Sequence, residues 1–77
     1  MADSTKNAAF LQMGDEAVIA ELTNSPVSLK LMEMGCIPGV KIRVEGVAPF
    51  GDPIKLMIDD DYLLSLRKAE AENIIVH

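Results

Sequence analysis

Leu31-Met32-Glu33-Met34-Gly35-Cys36-Ile37-Pro38-Gly39-Val40 decides how this chain folds. Its first half is the end of a short helix. Val27, Leu31 and Met34 recur at i, i+4 and i+7, so they share one helical face. Ser25-Pro26 is the matching start. A serine hydroxyl accepts one of the unpaired backbone N–H groups of a first turn, and proline suits the first helical position. Gly35 is the natural stop, because a residue just past a helix often needs positive φ, which glycine adopts freely. Cys36-Ile37-Pro38-Gly39 then reads as a type II turn, with proline presetting one central φ and glycine supplying the positive one. From Val40 the period changes from helical to two: Val40, Ile42 and Val44 alternate with Lys41, Arg43 and Glu45. That alternation is a strand with one dry face and one wet face.

Outward from this stretch, the chain breaks into short strands. Residues 1–8 are small and polar and read as a flexible tail, with the folded domain spanning 9–77. Phe10-Leu11-Gln12-Met13 reads as an apolar anchor and Gly14-Asp15 as a turn. Glu16 to Leu22 is a strand, with Val18, Ala20 and Leu22 on one face and Ala17, Ile19 and Glu21 on the other. The strand from Val40 runs to Ala48, and Gly46 interrupts its alternation as a bulge or bend would. Pro49-Phe50-Gly51-Asp52-Pro53 is a stiff loop, and Ile54 to Ile58 is the next strand. Asp59-Asp60-Asp61 turns the chain into Tyr62 to Leu66, another alternating strand. Lys68 to Asn73 has room for one or two helical turns before Ile74-Ile75-Val76, a last short strand. Five short strands at this spacing predict a mainly β fold, a small SH3-like barrel with one inserted α-helix and a short C-terminal helical turn.

The chain has 77 residues, enough for one domain, and 49% of them are hydrophobic. With no Trp, one Tyr and two Phe, its core is aliphatic and rich in methionine. The single cysteine excludes an internal disulfide and fits a reducing compartment. Apolar runs are far shorter than a membrane span, and the first residues lack the features of a signal peptide. The expected location is cytoplasmic. The net charge is −5, the wrong sign for a nucleic-acid partner, whose affinity comes from Lys and Arg on phosphates.

Three blocks carry a resemblance. They are Glu33-Met34-Gly35 with Ile37-Pro38-Gly39, then Pro49-Phe50-Gly51-Asp52-Pro53, then Leu64-Ser65-Leu66-Arg67-Lys68 with Glu70-Ala71. In this order and at these distances they resemble the FeoA family of bacterial ferrous iron uptake, over roughly Phe10 to Val76. The resemblance implies an SH3-like barrel that works beside FeoB, a membrane ferrous transporter with an N-terminal GTPase domain. The implied role is accessory: a protein-interaction module on the transporter's cytosolic part. One departure is visible. The family commonly has a glycine in the turn before the Leu-Ser-Leu-Arg strand, where this chain has Asp59-Asp60-Asp61. Aspartate tolerates the left-handed region well enough to keep the hairpin.

Candidate partner-binding residues fall in two places. In the loop, Pro49, Phe50, Gly51 and Asp52 form a surface whose prolines lower the entropy cost of ordering, with Phe50 either an exposed anchor or tucked into the barrel. On the helix, Leu29 and Met32 lie off the Val27-Leu31-Met34 face and read as an exposed apolar patch. Arg67 and Lys68 open the last helical segment, where positive charge opposes the helix dipole, so they are expected to pair with Glu70, Glu72 or a partner carboxylate.

No catalytic constellation and no cofactor motif is visible, so an enzyme is not expected. The aspartate triplet allows weak divalent binding at most, because adjacent side chains on a tight turn rarely converge. Cys36 and His77 are too few for a structural zinc site, Cys36 reading as buried and His77 as frayed. Ferrous iron is also a poor target for the methionine thioethers. No metal ligands are therefore assigned. The rival to the interaction module is a transition-metal-binding sensor or chaperone, and the expected oligomeric state is a monomer.

Overall fold

The computed structural model describes residues 6–77, and most of the tail expected over 1–8 lies outside the described residues. A 3-10 turn over Ala8–Phe10 leads into β1 (Glu16–Leu22), α1 (Pro26–Glu33), β2 (Lys41–Val47), β3 (Ile54–Ile58), β4 (Tyr62–Leu66), α2 (Lys68–Ala71) and β5 (Ile74–Val76). The strands form one antiparallel sheet in the order β4-β3-β2-β1-β5. β1 is shared between its neighbours. Its first half (Glu16 to Val18) pairs with β2, and its second half (Ile19 to Leu22) pairs with β5. An irregularity between Ile19 and Glu21 marks the change of partner. A strand that serves two neighbours in succession bends the sheet, and the fold is a half-closed barrel rather than a flat layer.

The inner face is aliphatic, and the methionines expected in it are absent from the described buried residues: Met13 and Met32 are exposed and Met34 packs only at its margin. Ile42 and Val44 from β2, Ile54, Leu56 and Ile58 from β3, and Leu66 from β4 are all buried. Ile19, Ile74 and Val76 complete it from the other side of the bend, and Leu31 plugs it from α1. Each such side chain stabilises the fold by about 1.5–3 kcal/mol relative to exposure. Their alternation with Lys41, Arg43, Glu45, Lys55 and Ser65 is the period-2 pattern of the sequence made physical.

Local chemistry sets the element ends as expected. The Ser25 hydroxyl accepts the Ser28 N–H at 3.3 Å, and Pro26 opens α1. Met34 is the C-cap, and Gly35 follows with φ 102°. Asp59 and Asp60 take φ 54° and 53°, and the Asp61 N–H reaches the Ile58 carbonyl at 2.9 Å. Positive φ at both central residues makes this a type I′ hairpin turn, the form that matches strand twist. The aspartates thus keep the hairpin that a glycine would make. At Gly46 the β2–β3 register shifts, so the expected bulge is present.

Three expectations are corrected. Asn7 and Ala8 are not tail: the Asn7 side chain caps the 3-10 turn at 2.9 Å, Asn7 bridges Ile75, and Ala8 is fully buried. Phe10 and Met13 are no anchor, being 71% and 63% exposed. The small Ala8 and Ala9 take that place, buried where the 3-10 turn packs on α2 and β5. In β1 Ile19 is the deeply buried residue and Val18 is exposed, so at this point the face of Ala17 and Ile19 turns inward. His77 is not frayed, since its N–H donates to the Val18 carbonyl at 3.0 Å.

Candidate partner-binding surface

The Pro49–Asp52 loop joins β2 to β3 and is held by three hydrogen bonds. The Gly51 N–H donates to the Ala48 carbonyl at 2.7 Å, and the Ala48 N–H donates to the Pro53 carbonyl at 3.1 Å. The Asp52 carboxylate accepts the Lys68 N–H at 2.9 Å, which ties the loop to the first turn of α2. The Asp52–Pro53 peptide is cis. On this pinned loop Phe50 is 98% exposed, so the ring stands in solvent rather than in the barrel. Asp52 therefore has a structural task as well as a surface position.

Leu29 and Met32 are exposed on α1, while Leu31 and Ser28 of the same helix are buried. They do not belong to the Phe50 loop. The C-terminal end of α1 is tied to Tyr62, whose hydroxyl donates to the Met34 carbonyl, at the Asp59–Asp61 end of the β3–β4 hairpin. The Phe50 loop is at the other end of β3, five residues away, a span of about 13 Å at strand rise. The six sequence candidates thus make two separate patches.

A third feature was not expected. Glu45, Gly46, Val47, Ala48, Pro53 and Lys55 line an open hollow of about 350 Å³ at the base of the Phe50 loop. Gly46 makes its floor shallow-walled, since only the carbon stem of Lys55 lies within 4 Å of where a side chain would begin. The one sequence signal for it was the glycine that interrupts an alternating strand.

The outer face of the sheet is charged. Arg43 bonds Glu45 and reaches Glu16 at 3.5 Å and Asp60 at 3.1 Å, while Lys41 meets Asp60 at 3.0 Å. The Lys41 ammonium, and then Arg43, hold the Asp60 carboxyl below the usual carboxylate range. Of the three aspartates in the turn, Asp60 is thus paired with two cations of β2. Among the described residues no group of three or more His, Cys, Asp and Glu side chains comes together. Cys36 is fully buried, and desolvation pushes its thiol pKa up. At α2, the Glu70 carboxylate accepts the Arg67 N–H at 2.9 Å. Glu70 therefore pairs with backbone rather than with the Arg67 or Lys68 side chain, and it places negative charge at the positive end of the helix.

A family model described as the FeoA domain matches residues 7–77. The chain belongs to the FeoA family. The family is linked to ferrous iron transport. The NMR structure of a FeoA-like protein from Clostridium acetobutylicum is 35% identical, with a TM-score of 0.88, covering 99% of this chain and 88% of that one. The solution structure of FeoA from Chlorobium tepidum is 38% identical, with a TM-score of 0.82, covering 92% of this chain and 68% of that one. The zinc complex of Stenotrophomonas maltophilia FeoA, a procaryotic SH3 domain protein, is 22% identical, with a TM-score of 0.79 and coverage of 92% and 88%. At that identity the likeness concerns the fold alone, and the fold of this FeoA-family chain is SH3-like. A search of the curated proteins finds no match. Among the described residues no helix is long and apolar enough to cross a membrane.

Proposed function

We propose that this FeoA-family chain is an accessory protein of bacterial ferrous iron uptake, acting in the cytoplasm as an interaction module on the GTPase part of a FeoB-type membrane transporter. The observation that carries the reading is Phe50, 98% exposed on a loop already fixed by three hydrogen bonds. A solvent-facing aromatic on a preorganised loop loses little entropy on binding, and such residues dominate interface energetics. Pro49, Gly51 and Asp52 shape the same surface, and Leu29 and Met32 form a second apolar contact on α1.

The test is capture of the tagged chain on the purified cytosolic part of a FeoB-type transporter, with chelator and with ferrous iron. Binding in both conditions, lost in Phe50→Ala with the fold intact, is the expected result. Loss on Met32→Glu without a change in melting temperature assigns the α1 face to the contact as well. Binding that appears only with iron replaces this reading with that of a metal-responsive sensor or chaperone. No binding in either condition removes it.

A further inference from the structure

We propose that the Phe50 loop and the hollow at its base form a reciprocal, two-fold contact between two copies of this chain. Knob and hollow are on one hairpin. Ala48 and Pro53 flank the loop and also line the hollow, together with Glu45, Gly46, Val47 and Lys55. Phe50 cannot fill its own hollow while the Ala48, Gly51 and Asp52 hydrogen bonds hold the loop outward. A two-fold axis beside the hairpin solves this for both copies at once, because an isologous contact puts the same knob into the same hollow twice.

The chemistry of the hollow matches the loop that would enter it. Val47, Ala48 and Pro53 offer apolar walls, and the missing side chain at Gly46 lets a ring approach the backbone. Lys55 lays its carbon stem beside Gly46, and no ion pair engages its ammonium among the described residues. An incoming Phe50 brings an aromatic face for that ammonium, and the exposed Asp52, two residues on, brings a carboxylate. An arbitrary apolar partner would supply the ring without the acid; a second copy supplies both.

The contact is weak. A phenylalanine buries about 200 Å², so two knobs and two hollows stay below the roughly 1,200 Å² of a stable complex. Each copy also carries a net charge of −5, which opposes close approach. The chain is therefore a monomer when dilute and pairs at concentrations from about 0.1 to a few mM. This pairing does not depend on the transporter reading. Where both hold, the two contacts compete for Phe50.

The experiment is NMR diffusion with amide shift mapping from about 50 μM to about 2 mM. Expected are slower diffusion with concentration and shift changes confined to residues 45–55. Phe50→Ala, which removes the knob, and Gly46→Val, which fills the hollow, each abolish both signals. A valine at 46 begins 3.6–3.9 Å from Lys55 carbons, an ordinary contact, so the fold tolerates it. An equal mixture of the two variants regains part of the association, because one intact knob then meets one intact hollow. Concentration-independent diffusion, shifts mapping outside 45–55, or unaltered association of Phe50→Ala overturns the proposal. Transporter capture is read on the dilute wild-type chain, which is a monomer there whatever the outcome of this experiment, so the two readings fail separately.

Discussion

Gly35 and Gly51 both have positive φ, 102° and 84°, and both end a tight turn, yet their surroundings differ completely. A Cβ on Gly35 would overlap the Tyr62 hydroxyl and press on its ring, whereas one on Gly51 would meet nothing within 4 Å. At Gly35 the helix end is closed by a residue from a distant strand, which bonds the Met34 carbonyl. At Gly51 the turn is closed by its own backbone, and the neighbouring Phe50 ring is left in water. The same local glycine chemistry thus serves packing in one region and presentation in the other. Binding surfaces are commonly loops set on a rigid scaffold, and here the α1–Tyr62 end is scaffold while the Phe50 end is surface.

The largest expected effect tests the packed end. Gly35→Ala combines left-handed strain with a clash on Tyr62 and lowers stability by about 3 kcal/mol or more in urea denaturation. Adding Tyr62→Phe removes the overlapping hydroxyl and restores part of that loss. If the double variant is no better than Gly35→Ala alone, the contact with Tyr62 is not what distinguishes the two glycines.

Next is the latch at the other end of α1. Asn73 Oδ1 accepts from the Thr23 and Ser25 hydroxyls, and its amide donates to the Ala69 and Glu70 carbonyls. Asn73→Ala removes these hydrogen bonds, leaves the Thr23 and Ser25 hydroxyls with Ser28 alone, and costs about 1–2 kcal/mol, read from the same denaturation curves. A value near zero would move this end of α1 out of the scaffold.

Gly51→Ala has backbone strain alone and costs about 1–2 kcal/mol. Phe50→Ala, beside it, changes stability by no more than about 0.5 kcal/mol while abolishing partner capture. A large stability loss in Phe50→Ala would erase the division between scaffold and surface.

The smallest effect is electrostatic. Lys41, and then Arg43, hold the Asp60 carboxyl below the ordinary aspartate range in the folded state. A depressed folded pKa contributes stability that is present above the unfolded value and is lost as pH falls through the folded one. The carboxyl signal of Asp60 should therefore titrate below that of an unpaired aspartate, and molar salt should move its midpoint back up, since the pairs are exposed. A midpoint insensitive to salt would mean that the ion pairs do not set it.

Much of this molecule was legible from local pattern. The capped start at Ser25-Pro26, the stop at Gly35, the bulge at Gly46 and the bounds of β1, β3, β4 and β5 follow from residue-by-residue propensity and period. Such signals act within a few residues, so a sequence displays them directly. Misreadings arose where distant segments meet. Ala8 and Ala9 are core in place of Phe10 and Met13 because the 3-10 turn meets α2 and β5, elements far along the chain, through its alanines. In the candidate site, Leu29 and Met32 were readable as surface apolar residues, but neither the exposure of Phe50 nor the division into two patches was. The hollow was hidden because its walls come from two strands in a shifted register.

By itself, the sequence determined the helix and strand periods, the turns, the aliphatic core composition and the family. These depend on local sterics, hydrogen-bonding side chains and hydrophobic alternation. Tertiary structure alone decided that Tyr62 closes the end of α1, that Lys41 and Arg43 neutralise Asp60, and that Phe50 stands outside the barrel. The physical reason is that these outcomes depend on which residues meet across the sheet, and that is set by strand order and register rather than by neighbours in the chain.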